Sequence, residues 1–382
     1  MVWAMVALTP AQARVAKEVV LHNSEASNYT GVMRDSAGNL YGTTGGSGTA
    51  NWGVVYKVDK AHRYKVLYNF TGGSDGANPY AGVIRDSAGN LYGTTYFGGI
   101  AAGEAGFGVV YKLDTTGNET VLYAFTGGSD GRYPQSGLLR DPDGNLYGTT
   151  APGILGSPGF GSVYKVDTSG NETVLYNFTG GADGAYPQSG VIRDPGGNLY
   201  GTTLDGGAYG DGVVYKLDPN NQETVLYNFT GGGDGGGPWA GVVADSGGNL
   251  YGTTTAGGTA NWGVVYKLDT SGLETVLYSF TGLADGGRAC GRRDPRPKRN
   301  LYGTTVFGGG TVGSGVAGVV YEIDVAGQET VLHSFGISGA HPGGGRLHPN
   351  AGVVRDPEGN LYGTTAIGGK YGTGVIFEIE PQ

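Results

Sequence analysis

Apolar residues in this chain fall in short runs of five to seven positions, bounded by Gly, Asp or Asn. None keeps the i, i+3, i+4 spacing of a helix face. The runs are rich in Val, Leu and Tyr, which favour strands. One stretch shows the pattern: GVIRD (Gly82–Asp86), NLYGTT (Asn90–Thr95), GVVYKLD (Gly108–Asp114) and ETVLYAF (Glu119–Phe125). The turn from Asp86 to Gly89 joins the first two runs, and that from Asp114 to Gly117 joins the last two. An Asp that bonds nearby N–H groups, followed by a Gly able to take positive φ, makes a hairpin turn. The runs therefore read as four antiparallel strands. Simple alternation places Val121, Tyr123 and Phe125 on one face of the fourth and Leu122 on the other, so both faces need apolar cover.

The same unit returns along the whole chain. NLYGTT occurs seven times, starting at Asn39, Asn90, Asn145, Asn198, Asn249, Asn300 and Asn360. Four-stranded units of roughly 40 to 50 residues mark a β-propeller. The chain opens with a lone fourth run, EVVLHN (Glu18–Asn23), and ends on a third, GVIFEIE (Gly374–Glu380). The expected fold is all-β: a seven-bladed β-propeller with four antiparallel strands per blade, closed by the N-terminal strand completing the last blade. Such closure leaves no free sheet edge at the join.

A length of 382 residues alone suggests two or three domains. The repeat instead makes residues 14–382 one domain. Residues 1–13, MVWAMVALTPAQA, read as the remnant of a signal peptide, with an apolar run from Val2 to Leu8 ahead of Ala11-Gln12-Ala13. The expected location is secreted, periplasmic or extracellular. The 79 glycines sit at fixed offsets, so they read as turns rather than low complexity. The formal charge is −9 and no basic stripe spans the repeats, which argues against a nucleic-acid partner. No run is long and apolar enough to span a bilayer. The single cysteine, Cys290, excludes an intrachain disulfide.

One unit departs from the pattern. Where the sixth copy should carry GVIRD, the chain reads GRACGRRDPRPKRNLYGTT, with five Arg and one Lys between Arg288 and Arg299. The spacing from Asp285 to Asn300 matches that from Asp75 to Asn90, so length is kept while residues change. A pair of compensating frameshifts is one reading, and a basic graft that binds an anion is the other. The first is favoured, because binding grafts usually lengthen loops and spare strands. The innermost strand of this unit is expected to be the weakest part of the ring.

GNLYGTT, GVVYKLD and ETVLYNFTGG together resemble the GloVer tandem-repeat family of bacterial extracellular proteins, of the choice-of-anchor type, from about Glu18 to Glu380. The resemblance implies propeller-like repeats and export. It transfers no chemistry and no catalytic residue.

Candidate sites belong on the face with long, varied connections, because functional variation lives in such loops. The usual inter-blade connection is FTGGxDGxxPxxG. The position after its Pro lies just before the innermost strand, near the channel. It holds Tyr29, Tyr80, Gln135, Gln188, Trp239 and Asn350, with Cys290 in the altered copy. Flat aromatic faces beside amide donors and acceptors suit sugars or other extended polar ligands; the competing reading is that Tyr80 and Trp239 plug the channel mouth. The recurrent Asp75, Asp130, Asp183, Asp234 and Asp285 read as turn caps. Each loop offers only one carboxylate, so neither a metal nor another cofactor is expected. The longest connection, Gly336 to Ala351, carries His341, Arg346 and His348, a weak acid–base candidate set. The preferred reading is a non-catalytic propeller that binds a glycan or an extracellular protein. The alternative is a secreted polysaccharide lyase or hydrolase with one site on the same face. Loops after the second run are twelve residues in the second and sixth copies and ten in the third, against eight elsewhere. That inequality favours one unique site over seven equal ones.

Overall fold

The architecture is taken from a computed structural model, which describes residues 16–99, 106–151, 159–289, 300–310, 317–335 and 347–380. Within them, twenty-eight strands form seven four-stranded antiparallel sheets arranged as a propeller. Blade one is typical, with β2 (Met33–Arg34), β3 (Leu40–Thr44), β4 (Val54–Val58) and β5 (Tyr64–Asn69) paired in sequence order. The ring closes as expected: β1 (Lys17–Asn23) pairs with β28 (Val375–Glu380), the outer partner of β27 (Leu361–Thr364) and β26 (Val354–Arg355).

The NLYGTT motif is the working part of each blade. In blade two, Asp86 accepts from the Asn90 backbone N–H at 2.9 Å, the Asn90 side chain at 2.8 Å and the Tyr92 hydroxyl at 3.1 Å. Gly89, at φ +95°, completes the turn that an L side chain would strain. The motif glycine has a different task. A Cβ on Gly93 would sit 2.5 Å from the hydroxyl of Tyr111, a fully buried side chain on the third strand. The first threonine reaches the next blade: Thr43 Oγ1 donates to the Ala81 carbonyl at 2.8 Å, and Thr364 to that of Thr30 at 2.6 Å. The second anchors the loop that follows, as Thr95 Oγ1 donates to Phe97 O and accepts from the Val109 N–H.

Between blades lie seven buried clusters. One joins Phe70 of blade one to Leu91, Val109 and Tyr111 of blade two. Phe70 meets Tyr111 edge to face at 5.2 Å, and Phe125 meets Tyr164 likewise at 5.1 Å. Such pairs contribute about 0.5–1.5 kcal/mol beyond their buried area.

Two expectations need correction. The first strand of each regular blade is only two residues long, as in Ile84–Arg85. Asp86 leaves the ladder to cap the turn. The fourth strand does not alternate as expected. Val110 pairs with Tyr123 but Tyr111 with Val121, so Leu122 is the extra residue of a β-bulge. Val121 therefore packs toward blade one with Ala124, whereas Leu122, Tyr123 and Phe125 pack toward blade three.

Blade six is regular up to Ala289. The Arg288 N–H donates to Trp262 O at 2.8 Å, as the Asn78 N–H does to Trp52 O. The strand Gly287–Ala289 pairs at Gly287↔Phe307, matching the bridge Ala77↔Phe97 of blade two. It is not the counterpart of Ile84–Arg85. That counterpart, with Cys290, falls outside the described residues, as does the segment 1–13. Asn300 and Tyr302, without the usual turn Asp, both donate to Glu322 on the adjacent strand, Tyr302 at 2.9 Å. Five blades carry Lys at that place, for example Lys112.

Candidate functional site

The connections gather the predicted side chains around the channel mouth. Tyr29, Tyr80, Gln135, Gln188, Trp239 and Asn350 all line one cavity of about 790 Å³. The same six also rim a second space of about 530 Å³, walled by the innermost strands. They form the ring between an upper bowl and the central channel. Trp239 remains 47% exposed, as does Tyr29, whereas Tyr80 is half-buried between Tyr29 and Tyr96. The Gln135 side-chain amide donates to Gln188 Oε1.

The loops reach this geometry through an unusual backbone. Asn78, Tyr133, Tyr186 and Arg288, each two residues before its ring position, all take left-handed φ between +52° and +61°. Gly237 holds the equivalent place in blade five at φ +61°. Non-glycine residues held there are strained, and such strain clusters at functional sites.

The bowl is lopsided. On the side of blades one to three, aromatic rings fill the space: Tyr29 to Tyr80 at 5.4 Å, Tyr80 to Tyr96 at 5.2 Å, then Tyr96 stacked on Tyr133 at 4.7 Å. Burial, and next to it Tyr29, pushes the Tyr80 hydroxyl above its ordinary pKa. On the side of blades four to six, Leu204, Thr255 and Val306 take the place of Tyr96, and the cavity extends over them. These three immediately follow a GTT motif. That position holds six residue types over the seven blades, Ala151 and Ala366 alone sharing one, a signal that sequence reasoning overlooked. Arg288 and Phe307 also line this side and were missed.

The proposed acid–base set is not assembled by the described residues. His341 and Arg346 lie outside them. His348 is described, with its ring edge-on to Phe307 at 5.6 Å, one side chain behind the cavity wall. The turn aspartates act as caps: Asp75 accepts from the Thr71 N–H at 2.8 Å, the Thr71 hydroxyl at 2.6 Å and the Tyr68 hydroxyl at 3.0 Å. Among the described residues, no three His, Cys, Asp or Glu side chains cluster as a metal would require.

The sequence profile of the Gloeobacter/Verrucomicrobia repeat matches residues 4–203 and 188–382. The chain belongs to the Gloeobacter/Verrucomicrobia repeat family. Two matches in tandem fit the seven blades of this repeat protein. No curated protein matches it in sequence. Among solved structures it is similar to the extracellular domain of a protein from B. thetaiotaomicron described as a one-component system, with TM-score 0.53 and 15% identity, covering 93% of this chain and 40% of that one. It is similar to puromycin hydrolase at TM-score 0.52 and 14% identity, covering 94% and 52%. It is also similar to a Bacteroides uniformis protein described as a 6-phosphogluconolactonase, at TM-score 0.52 and 13% identity, covering 88% and 94%. At such identities the likeness shows the propeller fold alone, and function must be argued from the site. No helix among the described residues is long and apolar enough to cross a membrane.

Proposed function

We propose that this repeat protein is an exported, non-catalytic propeller that binds a glycan at the mouth of its channel. The observation that carries this reading is the convergence of six variable side chains on one cavity of about 790 Å³ within an otherwise repetitive scaffold. Trp239 and Tyr29 offer half-exposed aromatic surface for sugar C–H faces. Gln135, Gln188 and Asn350 offer amide donors and acceptors to hydroxyls. Glycoside hydrolysis usually needs two carboxylates flanking the bond, and the described residues lining the bowl include none. Export is supported by the signal-like segment 1–13.

The test is a glycan array run together with a polysaccharide-digestion screen, on the chain from Arg14 onward and on Trp239→Ala. Binding without new reducing or unsaturated ends, lost in the variant, supports the reading. Product formation by the intact chain sinks it and favours the lyase or hydrolase alternative, with the His341–His348 loop the first place to mutate.

A further inference from the structure

Arg288 is the single charged side chain among the thirteen described residues lining the bowl. Three observations make that placement informative. First, the position is a variable one: equivalent residues are Ser27, Asn78, Tyr133, Tyr186, Gly237 and His348, so the scaffold does not require an arginine there. Second, Arg288 has no carboxylate partner among the described residues, although the chain carries a net charge of −9. Third, its guanidinium lies over two rings, 5.3 Å from the centre of Phe307 and 5.9 Å from that of Trp262. Stacking on aromatic faces holds the group extended and leaves in-plane N–H donors for a planar, two-oxygen acceptor. The backbone beneath it is fixed, with φ +52° and a 2.8 Å bond from its N–H to Trp262 O.

We propose that the bowl recognises an acidic saccharide, with the carboxylate of a uronic-acid residue paired to Arg288 while a sugar face lies against Trp239. This rests on the glycan reading and narrows it to one chemical class. Arg–carboxylate pairs are charge-assisted and often two-pronged, so the carboxylate sets preference among sugars. Trp239 and the amides serve acidic and neutral sugars alike. The cavity volume lies within the ordinary range of small-ligand sites.

The test is calorimetric titration with oligogalacturonate, oligomannuronate and oligoguluronate, each as the free acid and as its methyl ester, at fixed salt. A sulfated neutral oligosaccharide is the further arm. The proteins are the unaltered chain, Arg288→Gln and Trp239→Ala, each checked by its melting curve. At least one uronate is expected to bind roughly tenfold tighter than its ester, because hydrogen bonds to charged groups exceed neutral ones by about that much. Arg288→Gln is expected to close the gap while leaving ester binding in place, and Trp239→Ala to weaken acid and ester together. Equal binding of acid and ester by the unaltered chain, or a gap that survives Arg288→Gln, overturns this inference and leaves the glycan reading standing. Preference for the sulfated sugar overturns the carboxylate assignment. Failure of every sugar, here and on the array, removes the glycan reading and the inference with it.

Discussion

At the scale of single residues, the repeat motif is a set of close contacts. A methyl group on Gly93 would meet the Tyr111 hydroxyl at 2.5 Å, with the whole ring behind it. Overpacking of that kind costs about 1–3 kcal/mol. Gly93→Ala is expected to lower the urea midpoint accordingly, and an unchanged midpoint would show that the ring can move aside. Removing the hydroxyl itself should behave differently. Tyr111 is fully buried and its oxygen has no hydrogen-bond partner among the described residues, and blade seven carries Phe377 at the same place. A buried hydroxyl without a partner is unfavourable, so Tyr111→Phe is expected to be neutral or stabilising by up to about 1 kcal/mol in the same assay. Loss of more than that would reveal a partner for the oxygen. The six ring residues were legible because they vary at a fixed offset within an unvarying repeat. Arg288 sits two residues before the ring position, where Asn, Tyr and Gly also occur, and that variation was not followed. Neither its left-handed backbone nor the rings beneath it leave a mark in the letters.

At the scale of the blade, strand identity and order were legible because hairpin turns and apolar runs agree with each other. The bulge at Leu122 was not, because period two is the default for a strand and nothing local announces an inserted residue. It matters for what meets across each blade interface. The Glu that opens the fourth strand of one blade faces the capped Asp of the blade before it: Glu119 with Asp75, Glu172 with Asp130, Glu223 with Asp183, Glu274 with Asp234 and Glu329 with Asp285. Burial, then the neighbouring carboxylate, pushes each of these glutamates up to about 7. Tyr68 and Tyr111 also lie near Glu119, and neither brings a positive charge. A carboxyl with a raised folded pKa stabilises the fold fully below its unfolded value, near 4.3, and loses that contribution as pH rises through about 7. The aspartates that cap the first turns behave oppositely. Burial pushes Asp86 and Asp194 up, but hydrogen bonds from Asn and Tyr side chains outweigh it and hold both below the ordinary value. Their contribution is lost as pH falls through those lowered values. The melting temperature is therefore expected to peak at about pH 4–5 and to fall as pH rises toward 8. Glu119→Gln should raise it at pH 8 and leave it little changed at pH 5. A melting temperature that climbs steadily from pH 5 to pH 8 would be incompatible with these interface acids.

At the scale of the whole molecule, seven equal blades would make seven equal sites, and the bowl shows how the symmetry is broken. Tyr96 and Tyr133 close one side, whereas Leu204, Thr255 and Val306, shorter than tyrosine, leave the other open. The ring itself depends on one joint. In blade two Glu119 pairs with Leu113 within a continuous hairpin, and in blade seven Glu18 pairs with Ile379 across the chain ends. Leu21 fills the closing cluster beside Val32, Tyr56 and Ile376, where the next blade begins. Deleting residues 1–25 should therefore strip cover from that cluster and expose the outer edge of the last sheet. A cost of about 3 kcal/mol or more is expected, comparable to truncating large core side chains, together with concentration-dependent association through the bare edge. A circular permutant separates loss of the strand from loss of its position in the chain. It would run from Ala26 to Ile379, continue through an Asp-Thr-Thr-Gly-Asn turn copied from 114–118, and end with Glu18 to Glu25. Every strand is kept, and every pairing except the terminal Lys17↔Glu380 pair with its exposed salt bridge, and the joint becomes a hairpin like those of the other blades. Urea unfolding should place the permutant within about 1 kcal/mol of the natural order, since the new turn reproduces a native one. If the permutant were as unstable as the deletion, the order of the chain ends would matter to the ring in its own right. If the deletion were as stable as the full chain, the first strand would not be the element that closes it.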